Sequence, residues 1–269
     1  MCLPPTEFAY GLMKKLLDYL LSVLYLIWFG AVLLIFHAAQ VVAFRLFGRL
    51  AHQRMVNAMN WCITYGFYLT GTRVRLRQTG VLPPNRPLIV IANHQSMFDI
   101  SPMSWLLRRH TPIFVSKSEL ARGFPSVSYN LRVNGSALIN RNDTKQALVE
   151  IARMGKQVQT LKQAAVIFPE GTRSPTGTLK SFAFAGVAIL LKKIPDALVV
   201  PVAIQGTGRF NPQGLFPLTS FSRLSFTVLP GMEPAGKTAD EVVQQARTAI
   251  EAVLTGQHAA RILAPESGV

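Results

Sequence analysis

Cysteine is almost missing from this sequence: Cys2 and Cys62 are the only two in 269 residues, and neither stands at a metal-ligand spacing. A disulfide framework and a structural zinc site are thereby excluded. Acidic residues are scarce as well, 13 against 28 Lys and Arg, which leaves a net charge of +15. Charge of either sign reaches only 15% of the chain, while hydrophobic residues make up 49%. No Gly-x-Ser-x-Gly occurs, so the sequence offers no nucleophile elbow. There is no internal repeat, no low-complexity tract and no second soluble domain. What remains is one domain with an appendage, whose basic excess calls for a polyanionic partner. The apolar balance favours an anionic membrane surface over nucleic acid.

The appendage is N-terminal. Tyr19 to Phe36 carries no charge between Asp18 and His37, and as a helix it spans about 27 Å, close to a bilayer's hydrocarbon thickness. Lys14 and Lys15 precede it, as in a signal peptide, but the apolar stretch is too long and no small-x-small cleavage site follows Phe36. Basic residues flank both sides, with Arg45, Arg49 and Arg54 beyond, so the positive-inside rule gives no orientation. Such flanks suit a segment that enters and leaves one leaflet. Gly30 is a candidate bend, and 39–50 a second arm. Residues 1–55 are expected to be membrane-anchoring helices and 56–269 a catalytic domain.

From about residue 72 the chain alternates short β-branched runs with helical patterns. Strands are expected at 74–76, 88–91, 113–115, 137–139, 165–168, 198–204 and 224–229. Helices are expected near 99–109, 119–131, 143–163, 182–193 and 238–254, with capping boxes at Asp143/Gln146 and Thr238/Glu241. This alternation predicts an α/β fold, a sheet flanked by helices.

Chemistry-bearing residues fall at strand ends. The run Leu88–Ile91 is followed by Ala92-Asn93-His94-Gln95-Ser96-Met97-Phe98-Asp99. His94 and Asp99 would be about 140° out of phase on one helix. They meet only if His94 sits in the turn and Asp99 in the first turn of the next helix. A carboxylate could then hold one imidazole nitrogen and leave the other to take a proton. A second turn, Phe168-Pro169-Glu170-Gly171-Thr172-Arg173-Ser174, combines glycine, a hydroxyl and a guanidinium, a set suited to phosphate. Gly135 to Arg141 brings another arginine from a strand end, and Lys117 follows Ile113–Val115. Three cations from three strand ends describe an anion site beside His94.

These blocks resemble the 1-acyl-sn-glycerol-3-phosphate acyltransferases and their wider glycerolipid acyltransferase relatives. The resemblance covers about residues 70–235. His94 through Asp99 is similar to the family's His-x4-Asp block. Gly135 through Arg141 is similar to the second, with Leu138 where an aromatic is often seen, and Phe168 through Ser174 to the third. Val200 through Ile204 is similar to the fourth, after which little chemistry is expected. The resemblance implies a glycerolipid acyltransferase fold. It also implies that His94 is general base, Asp99 orients it, and Lys117, Arg141 and Arg173 bind the acceptor's phosphate. Gly171 and Thr172 would shape that turn, with Glu170 and Gly135 in support. The acceptor would be lysophosphatidic acid, with acyl-CoA or acyl-ACP (acyl carrier protein) as cosubstrate and no metal or other cofactor. The place would be a bacterial inner membrane, with the active site facing the cytoplasm. Glycerol 3-phosphate or a lyso-ornithine lipid is the alternative acceptor.

Gly231 to Thr238 satisfies G-x-x-x-x-G-K-[ST] and suggests an NTP-binding membrane protein instead. Against it, only 31 residues follow Thr238. Glu233 would put a negative charge in the phosphate cradle, and Pro234 removes a donor from it.

Overall fold

This computed structural model describes the backbone of residues 5–256 and the side chains of residues 11–256, so Cys2 lies outside the described residues. Helix α1 (Pro5–Gly66) is followed by β1 (Arg73–Gln78), β2 (Leu88–Ala92), α2 (Ile100–Leu106) and β3 (Pro112–Lys117). Then come α3 (Val127–Val133), β4 (Ala137–Ile139), α4 (Thr144–Leu161), β5 (Ala164–Ile167) and α5 (Ala185–Lys193). The chain continues through β6 (Leu198–Gln205), α6 (Thr207–Phe210), β7 (Arg223–Val228) and α7 (Ala239–Leu254). All seven strands fall where the β-branched runs predict them. The helix expected near 119–131 is a short 3-10 turn, Ser118–Ala121, followed by α3. Gly123 and Pro125 lie between them, where a helix is poorly continued.

The strands form one mixed sheet in the order β1-β7-β6-β2-β5-β3-β4. Strands β6, β2, β5, β3 and β4 run parallel, whereas β7 is antiparallel to β6 and parallel to β1. The central strands read as unbroken apolar runs because both of their faces are covered. Every residue of β2 is buried. On one face Val90, Val166, Val200 and Phe226 pack with Phe98, Met103 and Phe210 from the α2 and α6 side. On the other, Ile89, Ile91, Ala165 and Val199 pack against Met154, Leu190 and Val243 of α4, α5 and α7. All loops after β6, β2, β5, β3 and β4 therefore emerge at a single sheet edge.

Helix α1 is a hairpin rather than a rod. Gly48 has φ 77° and ψ −164°, breaking it into arms 5–47 and 49–66. Gly48 makes the bend because it adopts a positive φ that residues with a Cβ rarely take, while Gly30 stays helical. The arms lie side by side: Trp28 Nε1 donates to Cys62 O at 3.2 Å, and Val32 and Leu33 pack on Met59 and Ile63. The boundary expected at residue 55 falls inside the second arm, which continues to Gly66.

The first arm belongs to the folded core. Tyr25 is fully buried and its ring lies 5.3 Å from Phe67 and 5.8 Å from Phe98. Asp18 accepts from Ser220 N–H at 2.7 Å and pairs with Lys14, so this acid docks the helix. Further along, Ser126 Oγ donates to Leu33 O at 2.8 Å and His37 Nδ1 accepts from Ser126 N. The outer side of both arms stays apolar and exposed, including Leu20, Ile27, Leu34, Ile35 and, around the bend, Leu46, Phe47 and Leu50. The long first arm of this hairpin has the length and apolar composition that suit membrane association.

Candidate active site

The chain leaves β2 at Asn93, whose amide is clamped to the neighbouring strand. Its Nδ2 donates to Ile204 O at 2.9 Å and its Oδ1 accepts from Ile204 N–H at 2.8 Å. Gln95 Nε2 donates to the same carbonyl at 2.9 Å. Between these two anchors His94 is turned toward the 3-10 turn Met97–Asp99, where Ser96 and Asp99 form a capping box. The five-residue spacing thus resolves as its geometry requires.

Asp99 is completely buried. Its Oδ2 accepts from His94 Nδ1 at 2.8 Å, from Gln95 N–H at 2.7 Å and from Ser96 N–H at 3.0 Å. Its Oδ1 accepts from the Thr207 hydroxyl. With Nδ1–H committed to the carboxylate, the other imidazole nitrogen keeps its lone pair. The His94 side chain retains 13% exposure. Phe168 stacks on the ring at 4.2 Å between centroids.

The adjacent strand β5 supplies the third-block turn. Ser174 N–H donates to His94 O at 2.7 Å, and His94 N–H donates to Glu170 Oε1 at 2.9 Å. Glu170 also accepts from Lys180 N–H at 3.3 Å, so it ties two loops together and does not hold Arg173. Burial holds its carboxyl above the ordinary glutamate value, opposed by these two N–H donors. Gly171 takes φ 69°, with open space where a Cβ would sit. Lys180 Nζ donates to Thr172 Oγ1 and to Arg173 O, each at 2.9 Å.

Lys117 and Arg141 come next along the edge. Lys117 is level with Ile139 of β4, and Arg141 follows two residues later. Lys117, Arg141 and Arg173 are all exposed, and among the described residues none is ion-paired. Strand order arranges the edge as Thr207, His94, Arg173, Lys117, Arg141. At about 4.8 Å per strand, β5, β3 and β4 stand roughly 5, 10 and 14 Å to one side of β2.

Two sequence expectations need correction. Gly135 precedes β4, so it lies at the opposite edge of the sheet from Arg141. A Cβ there would come within 2.0 Å of the Gln157 side chain, so this glycine serves packing of α4 and not the anion site. The nucleotide-binding segment also sits at that far edge, where Met232 bridges to Val199 near the start of β6. Its Glu233 forms a two-pronged ion pair with Arg86 at 2.6 and 2.7 Å, and Thr238 caps α7. Those groups are engaged in the fold, and no phosphate cradle is formed. In the other direction, Thr207 was not legible: it follows the fourth block, where little chemistry was expected. Asn93, Gln95, Phe168 and Lys180 were likewise missed, since only their positions in the fold show their contacts.

The acyltransferase family model matches residues 73–205. Over 217 residues the chain is 27% identical to a 1-acyl-sn-glycerol-3-phosphate acyltransferase of Chlamydomonas reinhardtii, covering 81% of this chain and 62% of that one. It is 26% identical over 189 residues to 1-acyl-sn-glycerol-3-phosphate acyltransferase alpha of Mus musculus, covering 70% and 65% respectively. The chain thus spans a little under two thirds of the length of these curated relatives. The crystal structure of the 1-acyl-sn-glycerophosphate (LPA) acyltransferase PlsC from Thermotoga maritima shares the fold. Its TM-score is 0.70 at 23% identity, over 95% of this chain and 100% of that chain. The matched span, just under half of the chain, holds all four motif blocks and the strands that carry them, and over residues 73–205 the protein matches the acyltransferase family.

Proposed function

We propose that this protein transfers a fatty acyl group from an acyl thioester to the sn-2 hydroxyl of 1-acyl-sn-glycerol 3-phosphate, giving phosphatidic acid. The observation that carries the reading is the 2.8 Å His94–Asp99 bond, made by a carboxylate with no solvent exposure. The names of the relatives support the choice of acceptor. In this reading the outward nitrogen of His94 takes the hydroxyl proton as the oxygen attacks the thioester carbonyl. The carbon–sulfur bond then breaks, and the departing thiolate takes a proton. A positioned base of this kind contributes about 10²–10⁴ in rate. Arg173, Lys117 and Arg141 hold the acceptor's phosphate, and neither a metal nor another cofactor takes part. The donor is acyl-CoA or acyl carrier protein. The exposed apolar side of the α1 hairpin rests in one leaflet of a bacterial inner membrane, with the site on the cytoplasmic side, where acyl thioesters are made.

The test is labelled acyl transfer to a panel of acceptors: lysophosphatidic acid, glycerol 3-phosphate and a lyso-ornithine lipid. Lysophosphatidic acid should be acylated fastest, and His94→Ala should lose at least a hundredfold in kcat while staying folded. A preference for either other acceptor would replace the substrate assignment. Near-normal turnover by the His94 variant would end the mechanism.

A further inference from the structure

Four arginines have no part in the site described so far. Arg73, Arg75 and Arg77 alternate with Val74 and Leu76 along the edge strand β1, so all three project from one face of the sheet. Arg223 of β7 stands directly beside Arg73 in the pairing register and shares that face. With Gln205 and Ser225 they line a cavity of about 250 Å³ that contains no acidic side chain. Among the described residues none of the four is ion-paired. Like charges side by side on a sheet repel and destabilise it, so a bound anion would relieve this cluster.

The register places the cluster relative to His94. Ala92 of β2 is level with Val202 of β6, which is level with Val228 of β7 and, through it, with Gln78 of β1. Moving from that line toward the active-site edge, β1 passes Arg77, Leu76 and Arg75 as the chain beyond β2 passes Asn93, His94 and Gln95. The strand that carries the cluster is therefore level with the histidine and three strands away, roughly 14 Å between the two backbones. It lies on the flank opposite Arg173, Lys117 and Arg141.

We propose that this cavity binds the phosphate groups of a coenzyme A thioester, so that the acyl donor reaches His94 from the side opposite the acceptor's phosphate. The inference rests on the acyl-thioester reading given above. Guanidinium forks suit phosphates bidentately, and the diphosphate and ribose phosphate of coenzyme A present several negative charges to four arginines. Length agrees as well. Three backbone-like bonds advance about 3.3–3.6 Å, so a pantetheine arm of about a dozen bonds spans roughly 14 Å. An anionic bilayer is the weaker occupant. The arginines project from the face covered by α4, α5 and α7, whereas the apolar α1 hairpin lies over the other face. An acidic carrier protein would be met by a flat basic surface, and a cavity suits discrete phosphates better.

Two measurements test this. The first is equilibrium dialysis of labelled coenzyme A, without an acyl group, against the full chain and its Arg75→Gln and Arg223→Gln variants. Each variant should bind ten- to a hundredfold more weakly, as expected for loss of one charge-assisted contact. The second compares acyl-CoA with the same acyl group on N-acetylcysteamine, which has no phosphate. The variants should raise the acyl-CoA KM by a similar factor. The short donor and the acceptor KM should show no such handicap. Equal coenzyme A binding by all three proteins would overturn the proposal. So would an equal handicap with both donors, which would mean damage to the fold. Variants that lost only vesicle binding, or only use of acyl carrier protein, would overturn it in favour of those partners. If the native chain bound coenzyme A through these arginines yet acylated none of the acceptors, the cavity would stand and the proposed reaction would fall.

Discussion

Replacing Asp99 with asparagine separates the charge of the carboxylate from its geometry. Three donors converge on Oδ2, and two of them, Gln95 N–H and Ser96 N–H, are backbone groups that cannot accept. The carbonyl oxygen of the introduced carboxamide is therefore forced into the Oδ2 position, where it still accepts from His94 Nδ1. The NH₂ of that carboxamide then faces Thr207, whose hydroxyl can rotate to accept it. The imidazole keeps its tautomer. What is lost is the extra strength of a charge-assisted bond, about 1–2 kcal/mol from the difference between charged and neutral hydrogen bonds. That corresponds to a fall in kcat of roughly 5- to 30-fold. A carboxamide that turns its NH₂ toward the imidazole imposes the wrong tautomer, which in a serine protease costs about 10⁴. The assay is single-turnover acyl transfer by Asp99→Asn, with urea unfolding to normalise for folded protein. A loss near 10⁴ would show that the amide has flipped and that the donors do not set its orientation. Unchanged turnover would remove Asp99, and with it the oriented imidazole, from the mechanism.

Other substitutions probe the edge of the sheet and the hairpin. Because β5 adjoins β2 while β4 is three strands away, Arg173→Ala should raise the acceptor KM ten- to a hundredfold and Arg141→Ala by less. Arg173→Lys should recover only part. Titrating acceptor at saturating donor checks this, and a larger effect at Arg141 would reverse the assignment. Leu46, Phe47 and Leu50 are 70%, 72% and 80% exposed at the hairpin bend. Changing all three to serine should weaken binding to anionic vesicles at least a hundredfold, since each buried apolar side chain is worth about 1.5–3 kcal/mol. Cosedimentation unaffected by the triple change would show that the bend does not enter the bilayer. Burial raises the Glu170 carboxyl, so its contribution to stability is fullest below the ordinary glutamate range and is lost as pH rises through the folded value. The native chain should thus gain stability relative to Glu170→Gln as pH is lowered through that window. Urea midpoints across the range test this, and a difference independent of pH would contradict it.

The sequence alone determined whatever depends on neighbours along the chain. Strands β2, β5 and β6 are legible because a strand covered on both faces needs an unbroken apolar run. The meeting of His94 and Asp99 is legible because their spacing leaves only one local geometry that joins them. The apolar stretch after Asp18 is legible as a long helix, although the bend belongs to Gly48 and not to Gly30. Strand order was not readable, since many orders suit the same set of apolar runs and pairing joins residues far apart in sequence. That order brings Thr207 from β6 to Asp99, 108 residues away, and the antiparallel run of β7 carries residues 231–238 to the far edge. It also sets Arg223 beside Arg73, so that charges far apart in the sequence line one cavity. Local spacing fixes which residues share a turn, but the long-range hydrogen bonds between strands decide which turns share a site.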